Sequence, residues 1–310
     1  MSIIKSYAVH DENGESGDMF YIKHGSSNFT IIDCCIVEDN RKRISDEIIQ
    51  EEEGKCITRF ISTHPDEDHI CGLGYLDAKI NLLNFYCVKN AATKQDPSNS
   101  FKYYCKLRDD VDKHYFVYKG CKRKWMNDND ETDGKNYGSS GINFLWPDVS
   151  DANFKEAQKL AAEGKSYNNL SPIFTYSVKN GITVMWMGDM ETDFQEKVKD
   201  KIDWPQVDVL FAPHHGRDSG KVPDDVLKKL KPQIIVIGEA PSKNLNYYSG
   251  YNTITQNSAG DIVFVCSEDK VHVYVSKDNY AYDTSFLSDE DEINSTYGTY
   301  LGSFTPKGAK

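Results

Sequence analysis

The sequence predicts an α/β fold in which two sheets pack on each other and helices cover the outside. Segments with the pattern of β-strands outnumber helical segments in both halves of the 310-residue chain. The helical segments have one apolar and one polar face, as expected of helices that lie between a sheet and water. Two packed sheets with amphipathic helices outside them satisfy both observations.

The first half begins with a predicted β-hairpin followed by a strand–helix–strand unit. Residues 40–53 carry apolar residues at helical spacing and form the predicted helix. A mixed segment at 98–118 precedes a polar loop at 127–141, whose Asn, Asp, Gly and Ser content argues against a core element. The predicted strands of this half are residues 19–25, 28–34, 56–63 and 82–88.

The second half repeats this alternation. Asn180 and Gly181 lie between two β-rich runs within residues 172–189, which is the strongest short-range signal of a hairpin. The other predicted strands are residues 142–147, 207–213, 233–240, 261–266 and 270–276, the last two joined around Glu268, and the predicted helices are residues 151–164, 191–202 and 223–231. We expect one domain over residues 1–275 and an acidic tail at 276–310 that is partly disordered.

Composition indicates a globular protein in the cytoplasm. Hydrophobic residues make up 39% of the chain and charged residues 27%, without an apolar run near the ~20 residues that span a membrane. The first 18 residues lack the basic segment, apolar core and cleavage site of a secretory signal. The eight cysteines show neither a C-x-x-C pair nor a regular framework, so we expect them to be reduced.

The net charge of −12 bears on the binding partners. Strong binding of duplex DNA depends on clustered Lys and Arg that release counterions, so we do not expect it here, and we expect no membrane binding. An enzyme that engages a phosphate through metal ions stays open, because two divalent cations would cancel several negative charges locally. The oligomeric state is not predicted.

One short stretch, STHPDEDHICG at residues 62–72, concentrates two histidines and three carboxylates within six positions. Carboxylates this close are tolerable only if they face water or if cations lie among them. His64 begins the loop after a predicted buried strand, where open α/β sheets bind ligands. His64 and Asp66 are two positions apart and can face one side, and Asp68 and His69 follow. Two such pairs suit two neighbouring metals.

Polar residues also end three other predicted strands. Asp33, Asp189 and the pair His214 and His215 stand where apolar residues would be expected. A single residue of this kind is more simply explained as a helix cap, or as a histidine bonded to a backbone carbonyl. Four polar strand ends in one chain, one of them the acidic stretch, favour a shared site.

With these residues placed, HPDEDH resembles the signature H-x-H-x-D-H of the metallo-β-lactamase fold. Gly-Asp at 188–189 and Pro-His-His-Gly at 213–216 follow in the order of that fold's later motifs. The chain is most similar to the ComEC-like branch, the hydrolase domain of bacterial DNA-uptake proteins, where an Asp replaces the second His, as Asp66 does here. That branch also has an Asn-Asn-x-Ser segment, matched at 168–171. The resemblance spans roughly residues 18–275 and implies a metallo-β-lactamase αββα sandwich.

The resemblance implies a set of metal ligands. His64 and Asp66 would hold one metal, Asp68 and His69 would hold the other, and Asp189 would bridge both. The set is richer in carboxylate oxygen than the common version of the signature, which weakens the preference for zinc. We expect two divalent metal ions, with zinc favoured and manganese or magnesium as the alternatives.

The resemblance also implies residues that support the reaction. His215 would complete the second metal site and His214 would contact the substrate or leaving group, although these two histidines could exchange roles. Arg217 departs from the serine usual at its position, and its guanidinium could grip a phosphate oxygen. The expected catalytic residues are Asp68, His214 and Arg217. The residues expected to act from behind the ligands are Asp33, Asn168 and Asn169, the last two where other branches place a third histidine.

Two metals ~3.5–4 Å apart would activate a water and polarise the scissile group, so the predicted reaction is metal-dependent hydrolysis. We favour a phosphodiesterase or nuclease acting on nucleic-acid ends or on small or cyclic nucleotides. The likeness to a DNA-processing branch, Arg217 and a basic run at 119–124 support this choice, although the run reads equally well as a solvated surface patch. The alternatives are hydrolysis of an amide, ester or thioester bond in a small metabolite, and a non-catalytic module that retains the fold and binds a partner.

Overall fold

The computed structural model describes residues 1–11, 13–129, 134–240, 242–267, 269–290 and 296–309. The strands are β1 (Ser2–Ser6), β2 (Val9–His10), β3 (Ser16–Gly17), β4 (Phe20–Lys23), β5 (Asn28–Ile32), β6 (Cys34–Cys35), β7 (Ile57–Ile61), β8 (Phe85–Cys87), β9 (His114–Phe116), β10 (Ile142–Trp146), β11 (Ile173–Ser177), β12 (Thr183–Trp186), β13 (Val209–Phe211), β14 (Ile234–Ile237), β15 (Thr253–Thr255), β16 (Ile262–Cys266), β17 (Val271–Val275) and β18 (Thr299–Phe304). The α-helices are α1 (Arg41–Glu52), α2 (Glu67–Ile70), α3 (Leu73–Ile80), α4 (Asn99–Asp109), α5 (Ala152–Ala162), α6 (Thr192–Val198), α7 (Asp224–Leu230) and α8 (Gln256–Ala259).

Two large sheets contain most of the strands. The nine-stranded sheet has the order β18-β17-β16-β1-β4-β5-β7-β8-β9, and the six-stranded sheet has the order β10-β11-β12-β13-β14-β15. In the first sheet β5, β7, β8 and β9 are parallel, and in the second β12, β13, β14 and β15 are parallel. Parallel strands bring their carboxyl ends to one edge of a sheet, so the loops that follow them are gathered there.

Aromatic side chains join the two sheets face to face. Phe20 of the nine-stranded sheet lies 4.8 Å, between ring centroids, from Phe211 of the six-stranded sheet, and Trp186 stacks on Phe211 at 5.0 Å. Such contacts add to the free energy gained by burying the rings. The core between the sheets therefore fixes how their polar edges face each other.

Helices cover the outer faces. Helix α1 contacts β4 and α3, and its Ile44 and Ile48 are fully buried. On the other sheet, Phe154 of α5 and Phe194 of α6 pack edge-on against Trp146 of β10. The predicted α/β arrangement of two packed sheets between helices is confirmed.

The predicted elements of the first half are present. Strands β4 and β5 form the hairpin, and β5, α1 and β7 form the strand–helix–strand unit with its two strands parallel. The mixed segment at 98–118 contains α4 and β9. In the predicted loop at 127–141, the described residues 127–129 and 134–141 form neither a helix nor a sheet strand.

The second half follows its prediction with one break. Strands β11 and β12 are antiparallel on either side of Asn180 and Gly181, and β16 and β17 form the closing pair. The predicted helix at 191–202 is divided, because α6 ends at Val198 and a 3₁₀ turn follows at Lys199–Lys201. Glu268, between β16 and β17, lies outside the described residues.

Several strands were not predicted, among them β1 and β18 of the nine-stranded sheet and β15 of the six-stranded sheet. Strand β1 lies between β16 and β4 inside the nine-stranded sheet, and β18 pairs antiparallel with β17 at its edge. Beyond β18 the chain reaches the six-stranded sheet, where the backbone N–H of Lys307 donates to Asp208 Oδ1 at 2.8 Å. Residues 291–295 and 310 of the predicted tail lie outside the described part of the chain.

None of the described helices combines the length and the apolar character needed to cross a bilayer.

Candidate metal centre

Four residues from three segments of the chain meet at the carboxyl edge of the sheets. The ligand atoms of Asp68, His69, Asp189 and His215 all lie within 4.8 Å of one another. His69 Nε2 is 3.2 Å from Asp189 Oδ1, and His215 Nε2 is 3.2 Å from Asp68 Oδ2 and 3.4 Å from Asp189 Oδ2. Two imidazoles and two carboxylates around one point form a donor set that suits a divalent metal. We call these four residues the closed position.

Three further side chains surround the other side of Asp189. Its Oδ2 atom is 3.7 Å from His214 Nε2 and 4.0 Å from His64 Nε2, and His64 Nε2 is 3.5 Å from Asp66 Oδ2. The side chain of Asp66 is 32% exposed and that of His214 is 15% exposed, against 3% for Asp189. We call His64, Asp66 and His214, with the shared Asp189, the open position.

Asp189 owes its central place to the glycine before it. Gly188 has φ +50°, and a Cβ there would come within 2.5 Å of Ser171 Oγ and 2.9 Å of Thr63 Cβ. Only glycine allows this turn at so close an approach. The backbone N–H of Asp189 donates to Ser171 Oγ at 3.0 Å, and the carbonyl of Gly188 accepts from the N–H of His214. The strand end is thereby tied to the loop that carries the two histidines.

The neighbouring histidines face the same carboxylate because the backbone turns between them. An extended chain would send successive side chains to opposite sides. Here His214 and His215 both have left-handed backbones, with φ 54° and φ 55°. Such a conformation costs of order 1–3 kcal/mol per non-glycine residue and concentrates at functional sites. The turn brings both Nε2 atoms to Asp189 Oδ2.

Carboxylates orient both imidazoles of the closed position from behind. His69 Nδ1 lies 2.9 Å from Asp33 Oδ2, and His215 Nδ1 lies 3.1 Å from Asp18 Oδ1. A proton on Nδ1 that is donated to a carboxylate leaves Nε2 as the lone-pair atom that can bind a metal. Asp33 therefore contacts His69 at Nδ1, while His69 Nε2 faces Asp189.

Two hydroxyl groups contact the imidazole of His64 in the open position. Thr63 Oγ1 lies 3.0 Å from His64 Nδ1 and donates its own proton to Asp33 Oδ2 at 2.6 Å. Ser171 Oγ lies 3.4 Å from the same Nδ1. Since the Thr63 hydroxyl donates to Asp33, its lone pairs can accept from His64. Asp33 thus acts on His69 directly and on His64 through Thr63.

Strong mutual electrostatics hold the closed position together. Burial would lower the pKa of His69, but the carboxylates of Asp189 and Asp68 outweigh it and hold this pKa well above its usual range. His215 behaves alike: burial is outweighed by Asp18 and Asp189, which raise its pKa. Burial would raise the pKa of Asp189, but His69 and His215 lower it well below the ordinary value. Protons on the imidazoles thus balance the carboxylates, a role that divalent cations can take.

His214, in the open position, differs from the two histidines of the closed position. Burial lowers the pKa of His214, helped by the positive charges of His215 and Arg217. A neutral imidazole is the form that can bind a metal or accept a proton. Its Nδ1 lies 2.9 Å from Ser219 Oγ, which holds the ring with Nε2 toward Asp189.

The unpartnered atoms of the site fit a metal. Within the described residues, His64 Nε2, His69 Nε2 and Asp189 Oδ1 are buried without a hydrogen-bond partner. Buried polar atoms are nearly always paired, so three orphans around the Asp189 carboxylate indicate missing partners at this site. Imidazole nitrogens and a carboxylate oxygen share one kind of partner, a cation such as zinc.

The two asparagines and the basic run that the sequence singled out contact residues other than the four of the closed position. Asn169 faces Glu191 instead: its Nδ2 donates to Glu191 Oε2 at 2.7 Å and its Oδ1 accepts from the Glu191 N–H at 3.0 Å. Asn168 Nδ2 also reaches Glu191, at 3.5 Å. In the basic run at 119–124, Lys119 pairs with Asp203 at 3.0 Å, and Arg123 lies over the rings of two tyrosines, Tyr86 and Tyr115.

Sequence reasoning missed three supporting residues. Asp18, Thr63 and Ser171 each contact a histidine ligand or its carboxylate partner. Thr63 directly precedes His64, and Ser171 lies in the Asn-Asn-x-Ser segment, so both stood within segments already singled out. Asp18 is 197 residues from His215 and no local pattern connects the two.

Comparison with known proteins gives likenesses at low identity. No family model and no curated protein matches the chain. Similar solved structures include Igni18, a novel metallo hydrolase from the hyperthermophilic archaeon Ignicoccus hospitalis, at 13% identity and a TM-score of 0.46 over 86% of this chain and 99% of that one. A diphosphatase of the PhnP family is similar at 13% identity and a TM-score of 0.41 over 82% and 94% of the chains. CmlA, a diiron β-hydroxylase from Streptomyces venezuelae, is similar at 13% and 0.41 over 76% and 44%.

These likenesses concern the fold alone, and the chemistry rests on the residues described above. Two packed sheets lie between helices, and the acidic stretch, Gly188-Asp189 and the histidine pair meet at one edge. The chain has the α/β architecture of two packed sheets between helices that its sequence predicts.

Proposed function

We propose that the chain is a dinuclear-metal-dependent hydrolase that cleaves phosphodiester bonds, as a nuclease acting on nucleic-acid ends or as a phosphodiesterase acting on small or cyclic nucleotides. The observation that carries this proposal is the Asp189 carboxylate, which has the Nε2 atoms of four histidines within 3.2–4.0 Å of its oxygens. A single carboxylate so placed can bridge two metal positions.

The closed position would hold one metal through Asp68, His69, Asp189 and His215, and the open position would hold the other through His64, Asp66 and Asp189. Divalent metals bound there would supply Lewis-acid activation of a water and of the scissile group. We place zinc first, with manganese or magnesium as alternatives, because the donors include as many carboxylates as imidazoles.

The chain's own groups would position the substrate. His214 is partly exposed, and its Nε2 faces the centre, so it is placed to meet the departing oxygen and to give or take a proton there. Arg217 follows the histidine pair, is half-buried, and has no carboxylate partner among the described residues. A guanidinium without a partner beside such a centre suits a phosphoryl oxygen better than a neutral carbonyl.

The net charge of the chain bears on the size of the substrate. A net charge of −12 opposes long contact with a polyanion, whereas a short nucleotide or a strand end needs few phosphate contacts. Lys119 and Arg123 of the basic run have partners of their own. Arg217 is the cation nearest to the histidine pair in sequence. The motif resemblance supports placement with the ComEC-like branch.

Elemental analysis of the purified protein, followed by assays of bis-p-nitrophenyl phosphate and p-nitrophenyl acetate, tests the proposal. We expect two metals per chain and hydrolysis of the phosphodiester that is lost on chelation and restored by metal. The variant Arg217→Ala should slow the phosphodiester far more than the acetate ester. Metal with ester hydrolysis only would favour the small-metabolite alternative, and a metal-free, inactive chain would favour a binding module.

A further inference from the structure

A basic segment follows the acidic stretch at residues 62–72 directly. Residues 73–106 contain five lysines, two aspartates and no arginine, glutamate or histidine, so the charge of this segment is +3. The whole chain has a net charge of −12, so the other residues together carry −15. A local reversal of sign of this kind attracts anions to one part of an otherwise acidic protein.

The lysines of this segment have no carboxylate partner among the described residues. The two aspartates differ from each other. Asp77 is buried, accepts from the Tyr103 hydroxyl at 2.7 Å and pairs with Lys113 at 3.5 Å, whereas Asp96 is exposed. Lys94 is partly exposed and the other four lysines are exposed. The five lysines are Lys79, Lys89, Lys94, Lys102 and Lys106.

Helix α4 carries two of these lysines away from the acidic stretch. At its start, Ser98 Oγ donates to Oε2 of Glu67, a member of that stretch, at 2.5 Å. Lys102 and Lys106 are four positions apart on the exposed side of the helix, so their side chains are neighbours. Lys106 lies eight positions beyond Ser98, about 12 Å along the helix axis. The cations therefore form a line that begins beside the proposed ligands and leads outward.

Aromatic rings beneath two of the lysines keep their charges at this surface. Lys106 Nζ lies 4.8 Å from the centre of the Tyr103 ring, and Lys94 Nζ lies 5.8 Å from the centre of the Phe101 ring. The Tyr103 ring packs closely on Gly74 of α3, where an added Cβ would come within 3.1 Å of it. A cation held over a ring keeps its full charge. Both ammonium groups can therefore meet a phosphate.

We propose that Lys94, Lys102 and Lys106 bind the single-stranded part of a nucleic-acid substrate beside the scissile bond. Charge complementarity and the continuity of α4 with the acidic stretch support this occupant. A mononucleotide or cyclic nucleotide held at the centre would not extend two turns along α4, whereas a strand would. The inference rests on the proposed phosphodiesterase function and deepens it, because it selects a strand end over a small nucleotide.

Salt-dependent binding tests the surface without relying on turnover. The probe is a fluorescein-labelled oligothymidylate of about ten nucleotides, within the range that single-strand sites cover, with phosphorothioate linkages that resist cleavage. Fluorescence anisotropy gives its affinity for the purified protein at several salt concentrations. We expect thymidine 5′-monophosphate, measured by competition, to bind at least about tenfold more weakly, because it makes fewer phosphate contacts.

Paired variants locate the contacts. Each phosphate contact to a single strand contributes about 0.7 to the slope of log affinity against log salt, so Lys102→Gln/Lys106→Gln should reduce this slope by about 1.4. At low salt the same variant should bind the probe about tenfold more weakly, the order expected of two exposed ion pairs. Lys228→Gln/Lys229→Gln makes the same change on the exposed side of α7 and should keep the wild-type slope and affinity. Circular dichroism establishes that both variants are folded.

The outcomes separate this inference from the proposed function. An unchanged slope in Lys102→Gln/Lys106→Gln, an equal loss in the α7 control, or equal binding of the probe and the mononucleotide would each overturn the surface, even if bis-p-nitrophenyl phosphate is hydrolysed. Poly-glutamate that binds as tightly as the probe would also overturn it and would indicate an acidic protein partner. Binding that depends on these lysines in a protein that hydrolyses no phosphodiester would support the surface and contradict the proposed function.

Discussion

The two metal positions share Asp189 but differ in how their other ligands are held. In the closed position the imidazoles of His69 and His215 are fully buried, and a carboxylate stands behind each Nδ1. In the open position His64 is backed by hydroxyl groups, and Asp66 and His214 are partly exposed. A carboxylate partner raises the basicity of an imidazole and fixes its orientation, and a hydroxyl does so less.

This difference indicates which position binds its metal tightly and which admits water and substrate. The closed position has four ligands, three of them buried, and a carboxylate behind each imidazole, which resembles the closed coordination of structural metals. The open position, where Asp66 is 32% exposed, leaves room for water and substrate. We therefore expect the closed position to bind its metal more tightly and the open position to exchange its metal and receive the substrate. The predictions that follow test this contrast between the two positions.

The largest difference is expected between the neighbouring histidines. His215→Ala removes a buried ligand of the closed position and should lower the metal content and abolish activity. His214→Ala should leave the metal in place and reduce turnover by ~10²–10⁴-fold, because it removes a proton donor or a hydrogen bond to the departing oxygen. Metal stoichiometry and hydrolysis rate are measured side by side for the two variants.

Equal metal loss in the two variants would remove this division of roles, and metal loss in His214→Ala alone would reverse it. Ser219→Ala is a useful companion, since it frees the His214 ring at Nδ1 without touching a ligand. It should reduce turnover and leave the metal content unchanged.

The residues proposed as ligands could be singled out from the sequence because they stand together in short segments at strand ends. His64 to His69 occupy six positions, and the histidine pair follows a buried strand. The supporting groups were not within reach when they came from distant segments: nothing local to Asp18 indicates that it meets His215 Nδ1. Likewise Asn168 and Asn169 were expected near the metals, but which way their side chains turn depends on Glu191, a tertiary partner.

The strands also differ in how far their own sequence predicts them. A strand with a continuous apolar run, such as β14, is recognisable alone. Strand β18, with the sequence Thr-Tyr-Leu-Gly-Ser-Phe, has weak alternation and includes a glycine, and it is a strand because β17 offers an unpaired edge. Sheet pairing of this kind is a tertiary effect that a single segment does not encode.

A smaller effect should come from the carboxylates behind the imidazoles. Asp33→Asn weakens the support of His69 directly and of His64 through Thr63, so the affinities of both positions should fall by about 10–100-fold. Asp18→Asn touches His215 alone and should weaken only the closed position. Competition with a chromogenic chelator resolves the two affinities. A selective loss at the open position in Asp18→Asn would contradict the assignment of partners.

The smallest change is expected from Asp66→His in the open position. Imidazole suits zinc better than a second carboxylate does, so the preference for zinc over manganese should rise at that position while the closed position is unaffected. Asp193→His, an equivalent change on the exposed start of α6, is the matched control. An unchanged metal preference would mean that Asp66 is not a ligand.

Metal content per chain in Asp189→Ala tests whether one carboxylate joins the two positions. It is measured beside the wild type and the control variant Asp193→Ala. Loss of the shared carboxylate would leave two cations facing each other with less negative charge between them, so we expect the occupancies of both positions to fall together, while Asp193→Ala keeps two metals. Full occupancy of both positions in Asp189→Ala, or loss of one metal with the other fully retained, would contradict the bridge.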